Sequence, residues 1–303
     1  MRGERLRGYG LALTAAALWA TLGLFYRGLE QYGLSRLTIV FYRAALTALI
    51  LFLLLGWRRR DWLYLARQDW PLFVALGLLG VGAFFVVYIY AIALIGMGMA
   101  AVLMYTAPAW VTLLSAAFFQ ERLSGGKVAA VLLAVGGCAL VGQIYDPARV
   151  RLNLSGILAG LGAGLTYGLY TLFSKIAQRR HTSWGTLAYA LGLGALFMLP
   201  FQSPPDLVRA VTAPAPLLWL LMLALVPTLG GGVAFNAALR RIPASSASIV
   251  ATLEPVIAAS LGWAFLDERM EGLQLVGAGL VLGAVVVLQL ENHAPLLNPQ
   301  WQD

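Results

Sequence analysis

Residues 100–122 read AAVLMYTAPAWVTLLSAAFFQER, and residues 247–269 read ASIVATLEPVIAASLGWAFLDER. The two stretches stand 147 positions apart and align without a gap. Seven pairs are identical, among them Pro108/Pro255, Phe118/Phe265, Glu121/Glu268 and Arg122/Arg269. Each stretch is an apolar run with a proline in its interior and an aromatic-plus-acid step at its end. An offset of about half the chain marks a tandem duplication, repeat one covering residues 1–147 and repeat two residues 148–303.

The rest of the chain has the same apolar character. Of 303 residues, 60% are hydrophobic and only 11% are charged, and the mean hydropathy is +0.80. A water-soluble chain carries roughly 25% charge, so the bilayer is the solvent for most of this one. The net charge is +8, but the basic residues lie in short loops between apolar runs rather than in one patch or arm. That excludes a nucleic-acid partner and assigns them to topology.

Apolar runs of about 20 residues, bounded by charge or by Pro and Gly, predict ten transmembrane helices. They fall at 8–27, 36–56, 71–95, 97–119, 126–144, 154–176, 183–200, 216–239, 244–266 and 272–290. The runs are continuously apolar rather than alternating, which excludes a β-barrel. The expected fold is an all-α membrane protein, a single transmembrane domain over residues 1–303 with short loops and no soluble domain. Arg2, Arg5 and Arg7 before the apolar residues 11–25 imitate a signal peptide. That run is long enough to span, however, and the repeat needs it as its first helix.

Fourteen of the 21 Lys and Arg fall on the side of the N-terminus, six on the opposite side, and Arg43 lies within a span. This bias predicts cytoplasmic termini. Trp57, Trp62, Trp70 and Trp184 stand near span ends, as an interfacial belt requires. Five spans per repeat is an odd number, so the second repeat enters the membrane inverted relative to the first. Two equivalent halves of opposite direction are the ground plan of a small-solute carrier and give it a route to alternating access.

Enzymatic chemistry has little to stand on. The spans hold no histidine pair, no Cys/His set and no two close carboxylates. Gly125-Gly126-Lys127 is too short for a phosphate loop, and G-x-x-x-x-G-K-[ST] does not occur. No cofactor and no metal are expected. The single cysteine, Cys138, excludes an intrachain disulfide and reads as a small buried hydrophobe. His181 and His293 read as solvated.

Two ionisable residues stand inside apolar runs. Glu254 is the one carboxylate near the middle of a span, and Arg43 lies about a third of the way into the second. Each costs roughly 2.5–3.5 kcal/mol at mid-helix, so neither faces lipid. Glu254 reads as a contact for a substrate amine or a protonation site, or else as a structural acid. Arg43 reads as structural, snorkelling or coupling, alongside Glu121 and its twin Glu268.

Pro108 and Pro255 each remove a backbone donor in mid-span, so the freed carbonyl can bind a neighbour, water or a solute. Gly80 and Gly82 in span three and Pro227, Gly230, Gly231 and Gly232 in span eight are hinge candidates, with close helix packing as the equal alternative. Gly160, Gly164 and Gly168 read as packing. Aromatic residues at mid-depth complete the set: Trp19, Tyr88, Tyr90, Tyr105, Trp110, Tyr167 and Tyr170. A tyrosine hydroxyl in hydrocarbon needs a partner, so these face protein or a cavity. With Pro108, Thr252, Glu254 and Pro255, the tyrosines and Trp19 form the expected substrate-binding set. Such a cavity suits small amphipathic solutes, organic cations included.

These residues resemble those of the drug/metabolite transporter superfamily, specifically its ten-span EamA-type carriers. Phe41-Tyr42-Arg43-Ala44-Ala45 is similar to that family's second-span start. Leu253-Glu254-Pro255-Val256-Ile257-Ala258-Ala259, followed by Asp267-Glu268-Arg269, is similar to its ninth-span signature. Ala107-Pro108 with Gln120-Glu121-Arg122 is the weaker first copy. Trp19-Ala20 resembles the first-span step, with Tyr167-Gly168 opposite it. The resemblance covers essentially the whole chain and implies an inner-membrane carrier, usually an exporter. The nearest type is the bacterial aromatic amino-acid exporters, whose span four often carries a bulkier residue where this chain has Ala107.

The function expected is export of amino acids or related small metabolites by alternating access, with the bilayer and a small-molecule substrate as partners. Efflux of hydrophobic cationic drugs is one alternative. A non-transporting membrane partner protein or scramblase is the other. Nothing in the sequence fixes an oligomeric state, and a monomer is compatible with it.

Overall fold

The structure, a computed structural model, describes residues 2–147, 153–265 and 271–293. Among the described residues all regular structure is helical, with no strand. Eight helices are long and apolar enough to cross a membrane: α1 (Gly3–Glu30), α2 (Arg36–Arg58), α3 (Arg67–Ile95), α4 (Met97–Phe119), and, after a shorter apolar helix α5 (Gly125–Val141), α6 (Leu154–Ala177), α7 (Ser183–Phe201), α8 (Pro214–Leu239) and α9 (Ala244–Ala264). A second shorter apolar helix, α10 (Gly272–Leu288), follows. Large apolar side chains such as Leu53, Leu132, Leu158 and Leu282 point outward, as a lipid solvent allows and water does not.

One helix was not foreseen. Pro204–Thr212 lies where the sequence reading placed only a loop, with Asp206 in its first turn and Arg209 in its last. Prolines at a helix start and charges that oppose the dipole explain its formation. Nine mixed residues are invisible to a search for long apolar runs. Tyr42 Oη donates to Leu207 O at 2.7 Å and Arg209 Nη1 to Gly33 O at 3.2 Å, fixing it against the ends of α1 and α2.

The 147-residue offset recurs in the backbone. Ser35 caps α2 by accepting from Thr38 N at 3.2 Å, and Thr182, 147 positions on, caps α7 by accepting from Gly185 N at 3.1 Å. A π-helical segment interrupts α3 at Leu76–Ala83, and another interrupts α8 at Ala224–Gly230. Pro227 lies inside the second and cannot donate to the ladder, a recognised cause of such a widening. α4 breaks at Tyr105-Thr106 and α9 at Thr252.

Each break is held by a threonine. In α1, α4 and α9 the chain tightens for one turn. Thr21, Thr106 and Thr252 each donate both N–H and Oγ1 to the carbonyl three residues back. The hydroxyl distances are 2.7, 2.6 and 2.6 Å. A side-chain donor thereby satisfies part of the backbone that a broken helix leaves unpaired. The prolines follow these turns, at the second position of one new helical stretch (Pro108) and the third of the other (Pro255), where a missing N–H costs least.

The principal packing partners are also paired. α1 packs on α8 as α6 packs on α3, α1 on α9 as α6 on α4, and α2 on α8 as α7 on α3. α2 with α7, α4 with α9, and α5 with α10 complete the bundle. α5 and α10 meet backbone to backbone. A Cβ on Gly137 would lie 2.6 Å from Gly277 O, and one on Gly277 2.7 Å from Gly137 O. Gly160 and Gly164 face Leu103 and Thr106 of α4 at similar range, and Gly168 faces Trp110, so that stripe is a packing seam.

Candidate functional site

Where these helices cross, their aromatic residues join into one ring system. The Tyr88 and Tyr167 rings both stack on Phe84, at 5.8 and 5.5 Å. Tyr167 continues to Tyr170 and Tyr170 to Phe235, each at 6.4 Å. Trp19 closes the system against Phe235 at 5.2 Å and Tyr167 at 6.4 Å. The residues come from α1, α3, α6 and α8. Trp19 fits because Gly231 has no side chain: a Cβ there would lie 2.5 Å from Trp19 Nε1.

Glu254 stands in the first turn of the second half of α9, where the positive end of a helix favours a carboxylate. It lies within Coulombic reach of Arg43, Tyr105, Tyr88 and Tyr167. Trp19, Tyr88, Tyr167 and Glu254 are only half-buried although they meet at the crossing of the helices.

Arg43 is 8% exposed and reaches the same region from α2. Its guanidinium carbon lies 5.0 Å from the centre of the Phe85 ring, and Nη1 donates to Tyr26 Oη at 3.5 Å. Nε has no hydrogen-bond partner. Among the described residues Arg43 has no ion-pair partner, and its buried guanidinium does not snorkel.

The structure thus brings together Trp19, Tyr88, Tyr105, Tyr167, Tyr170 and Glu254. Three expected members stand apart. Tyr90 is 54% exposed and points outward, because two residues along a helix turn a side chain to the opposite face. The Thr252 hydroxyl is spent on Ile249 O. Pro108 is buried just after the turn that Thr106 holds. Pro255 adjoins Glu254 and is half-buried.

Gly80 and Gly82 lie in the α3 π segment, close against the backbone of Tyr170 and the ring of Phe197, and Gly232 lies against Leu187. Gly230 ends the α8 segment that holds Pro227. These hinge candidates thus occupy tight contacts and widened turns together.

Glu121 acts at one end of the bundle. Its carboxylate accepts from Ala244 N at 3.2 Å, from Ser245 Oγ and from Lys127 Nζ at 3.2 Å. The C-terminal end of α4 thereby caps the start of α9. Lys175, from the end of α6, donates to Leu239 O and, at 2.8 Å, to Ile242 O. Glu268 lies outside the described residues.

His181 corrects the expectation of a solvated side chain. Nε2 lies 3.1 Å from Asp69 Oδ2 with both side chains mostly buried, and the ring meets Phe73 edge-on at 4.9 Å. The partner comes from a segment 112 residues away, beyond any local reading. His293 lies at the end of the last helix, and its side chain is outside the described residues.

A buried polar chain was missed as well. Asn236 Nδ2 donates to Tyr170 Oη at 2.9 Å, Gln178 Nε2 to Asn236 Oδ1 at 3.0 Å, and Ser183 Oγ to Gln178 Oε1 at 3.1 Å. The available signal was Asn236 itself, a fully polar side chain in an apolar run. Phe84, Phe85 and Phe235 gave no signal, since phenylalanine is equally at home facing lipid.

The profile of the EamA-like transporter family matches residues 6–143 and again residues 154–290. An uncharacterised transporter of Archaeoglobus fulgidus is 30% identical over 200 residues, 66% of this chain and 70% of that protein. A probable terminal-alkyne amino-acid exporter of Streptantibioticus cattleyicolor is 28% identical over 92% of each chain. The pseudopaline exporter CntI of Pseudomonas aeruginosa is 27% identical over 82% of this chain and 84% of its own. A crystal structure with 18% sequence identity superposes with a TM-score of 0.79 over 96% of this chain and 99% of the other, a likeness of fold.

Proposed function

The chain belongs to the EamA-like transporter family, and on that premise we propose that it exports amino acids or related small metabolites by alternating access. In this reading the ten helices are ten spans, arranged as two inverted five-helix repeats in the inner membrane with both termini cytoplasmic. The observation that carries the proposal is the half-buried aromatic ring system around one carboxylate, Glu254. An apolar-walled space with a single acid suits a small solute that bears an amine.

Further support comes from the breaks in α4 and α9 and the π segments in α3 and α8, which recur at one offset. Paired mechanical elements are what two halves exchanging conformations need. The exporter names of the two relatives belong to those proteins and agree with this direction of flux. Glu121 and Glu268 are assigned to structure or coupling, and the glycines of α3 and α8 with Pro227 to the hinges.

The experiment is uptake into liposomes holding the purified protein, with a competition panel of the twenty amino acids and one organic dication. Saturable uptake of at least one amino acid is expected, and none for any would overturn the reading. The same carboxylate and aromatic walls favour hydrophobic cations as a second reading, which the dication tests directly.

A further inference from the structure

Arg43 is a buried cation with almost nothing to bind. A guanidinium carries five N–H donors and stays charged at all working pH values. Here one donor makes a 3.5 Å contact to a phenol, Nε makes none, and the planar face rests near Phe85. Leaving a buried charge so poorly compensated is costly, and a protein retains such an arrangement where a counter-charge arrives from elsewhere. Arg43 also lies about 10 Å below the start of α2, given seven residues of helical rise.

The acid assigned to the ring system is Glu254, on α9. No ion pair within 4.0 Å joins it to Arg43. Arg43 rests on Phe85, and Phe84 and Tyr88 continue from it in ring contact at 4.8 and 5.8 Å. A guanidinium and a carboxylate that face one region without pairing complement a solute carrying both an anion and a cation.

We infer that Arg43 and Glu254 form a split anchor for a zwitterion. Arg43 takes the α-carboxylate, Glu254 takes the α-ammonium, and the Phe84–Tyr167–Trp19 ring system takes the side chain. The inference rests on the carrier reading above and sharpens it. The chain selects α-amino acids over amines that lack the carboxylate, and Arg43 is the residue that makes the selection.

The test uses purified protein in liposomes and three amino acids, each beside its decarboxylated amine: L-phenylalanine with phenethylamine, L-leucine with isopentylamine, and L-lysine with cadaverine. For the wild-type protein the amino acid of the best pair is expected to outcompete its amine on the order of 30-fold, the usual consequence of leaving one member of a buried charge pair empty. Arg43→Gln is expected to lower affinity for the amino acid by a similar factor while changing that for the amine less than about two-fold. Arg43→Lys, which keeps the charge, should recover part of the loss.

Wild-type protein that handles acid and amine alike would leave the carrier reading standing and remove the role of Arg43. So would an Arg43→Gln protein that loses both ligands equally. Binding of no member of any pair would remove the split anchor and leave the carrier reading to the panel of twenty amino acids. The wild-type comparison needs no variant, so it decides the matter even if Arg43→Gln does not fold.

Discussion

Helices α4 and α9 carry the duplicated sequence, but their starts differ. At α9, Ala244, Ser245 and Ser246 are 0% exposed, and Glu121 and Lys175 hold the turn before them. At the matching start of α4, Met97 is 53% exposed, and Met97 and Gly98 line a recess of about 410 Å³ beside the end of α5. Lys175 corresponds to Gly28 in the first repeat, and Glu268, the twin of Glu121, lies outside the described residues. Among the described residues, similar sequences thus stand in unlike surroundings, one start closed by polar contacts and the other bordering a recess. The second difference is chemical: Glu254 in α9 answers to Ala107 in α4.

The sharpest way to break this comparison is to remove the asymmetric acid. Glu254→Gln is expected to lower saturable amine and amino-acid uptake on the order of 30-fold. Ala107→Ser at the twin position should change it less than about two-fold. Equal losses at both sites, read by liposome uptake, would mean that the acid has no special place.

Next in size is the clamp. Glu121→Ala leaves Ala244 N–H, Ser245 and Lys127 without their shared acceptor, at a cost of about 2–3 kcal/mol. A fall in melting temperature is expected, together with faster thiol labelling of a cysteine placed at Ser246. Met97→Ala, at the open start of α4, should move the melting temperature little.

The α4 break can be stressed by itself. A Cβ at Gly164 would lie 2.5 Å from Thr106 Oγ1 and 2.8 Å from Leu103 O. Gly164→Val should destabilise by about 1–3 kcal/mol, measured by thermal unfolding in detergent. Pro108→Ala and Pro255→Ala are expected to cost about 1 kcal/mol or less, because the prolines follow breaks that threonines already hold. Hydrogen exchange at the two breaks measures this, and a large change in only one would show that the two kinks are not equivalent. The smallest effect is expected outside the ring system: Tyr90→Phe should alter stability and uptake within about 0.5 kcal/mol.

The expected site was partly legible for a clear reason. Tyr88, Tyr105, Tyr167, Tyr170 and Glu254 each place a polar atom at mid-depth, which hydrocarbon does not tolerate. Their inward direction could be read one residue at a time. Tyr90 shows the limit, since depth alone does not give the face of the helix. Phe84 and Phe235 are the converse: they build the ring system but carry no polar atom to betray it. Arg43 was legible as costly but not as unpaired, because pairing depends on what three other helices bring near it.

Sequence by itself determined that the chain is helical, membrane-embedded and doubled, because hydropathy, length and repetition act locally and sum along the chain. It also determined that Glu254 and Arg43 must lie inside. Only the tertiary structure decided that Glu121 reaches Ser245 across 124 positions, that His181 meets Asp69, and that Arg43 lies buried with Nε unpaired. In a bilayer the apolar faces of helices are nearly interchangeable as partners for lipid or for one another. Backbone-close glycines and a few polar contacts settle which helices meet, and those act between segments far apart in the chain.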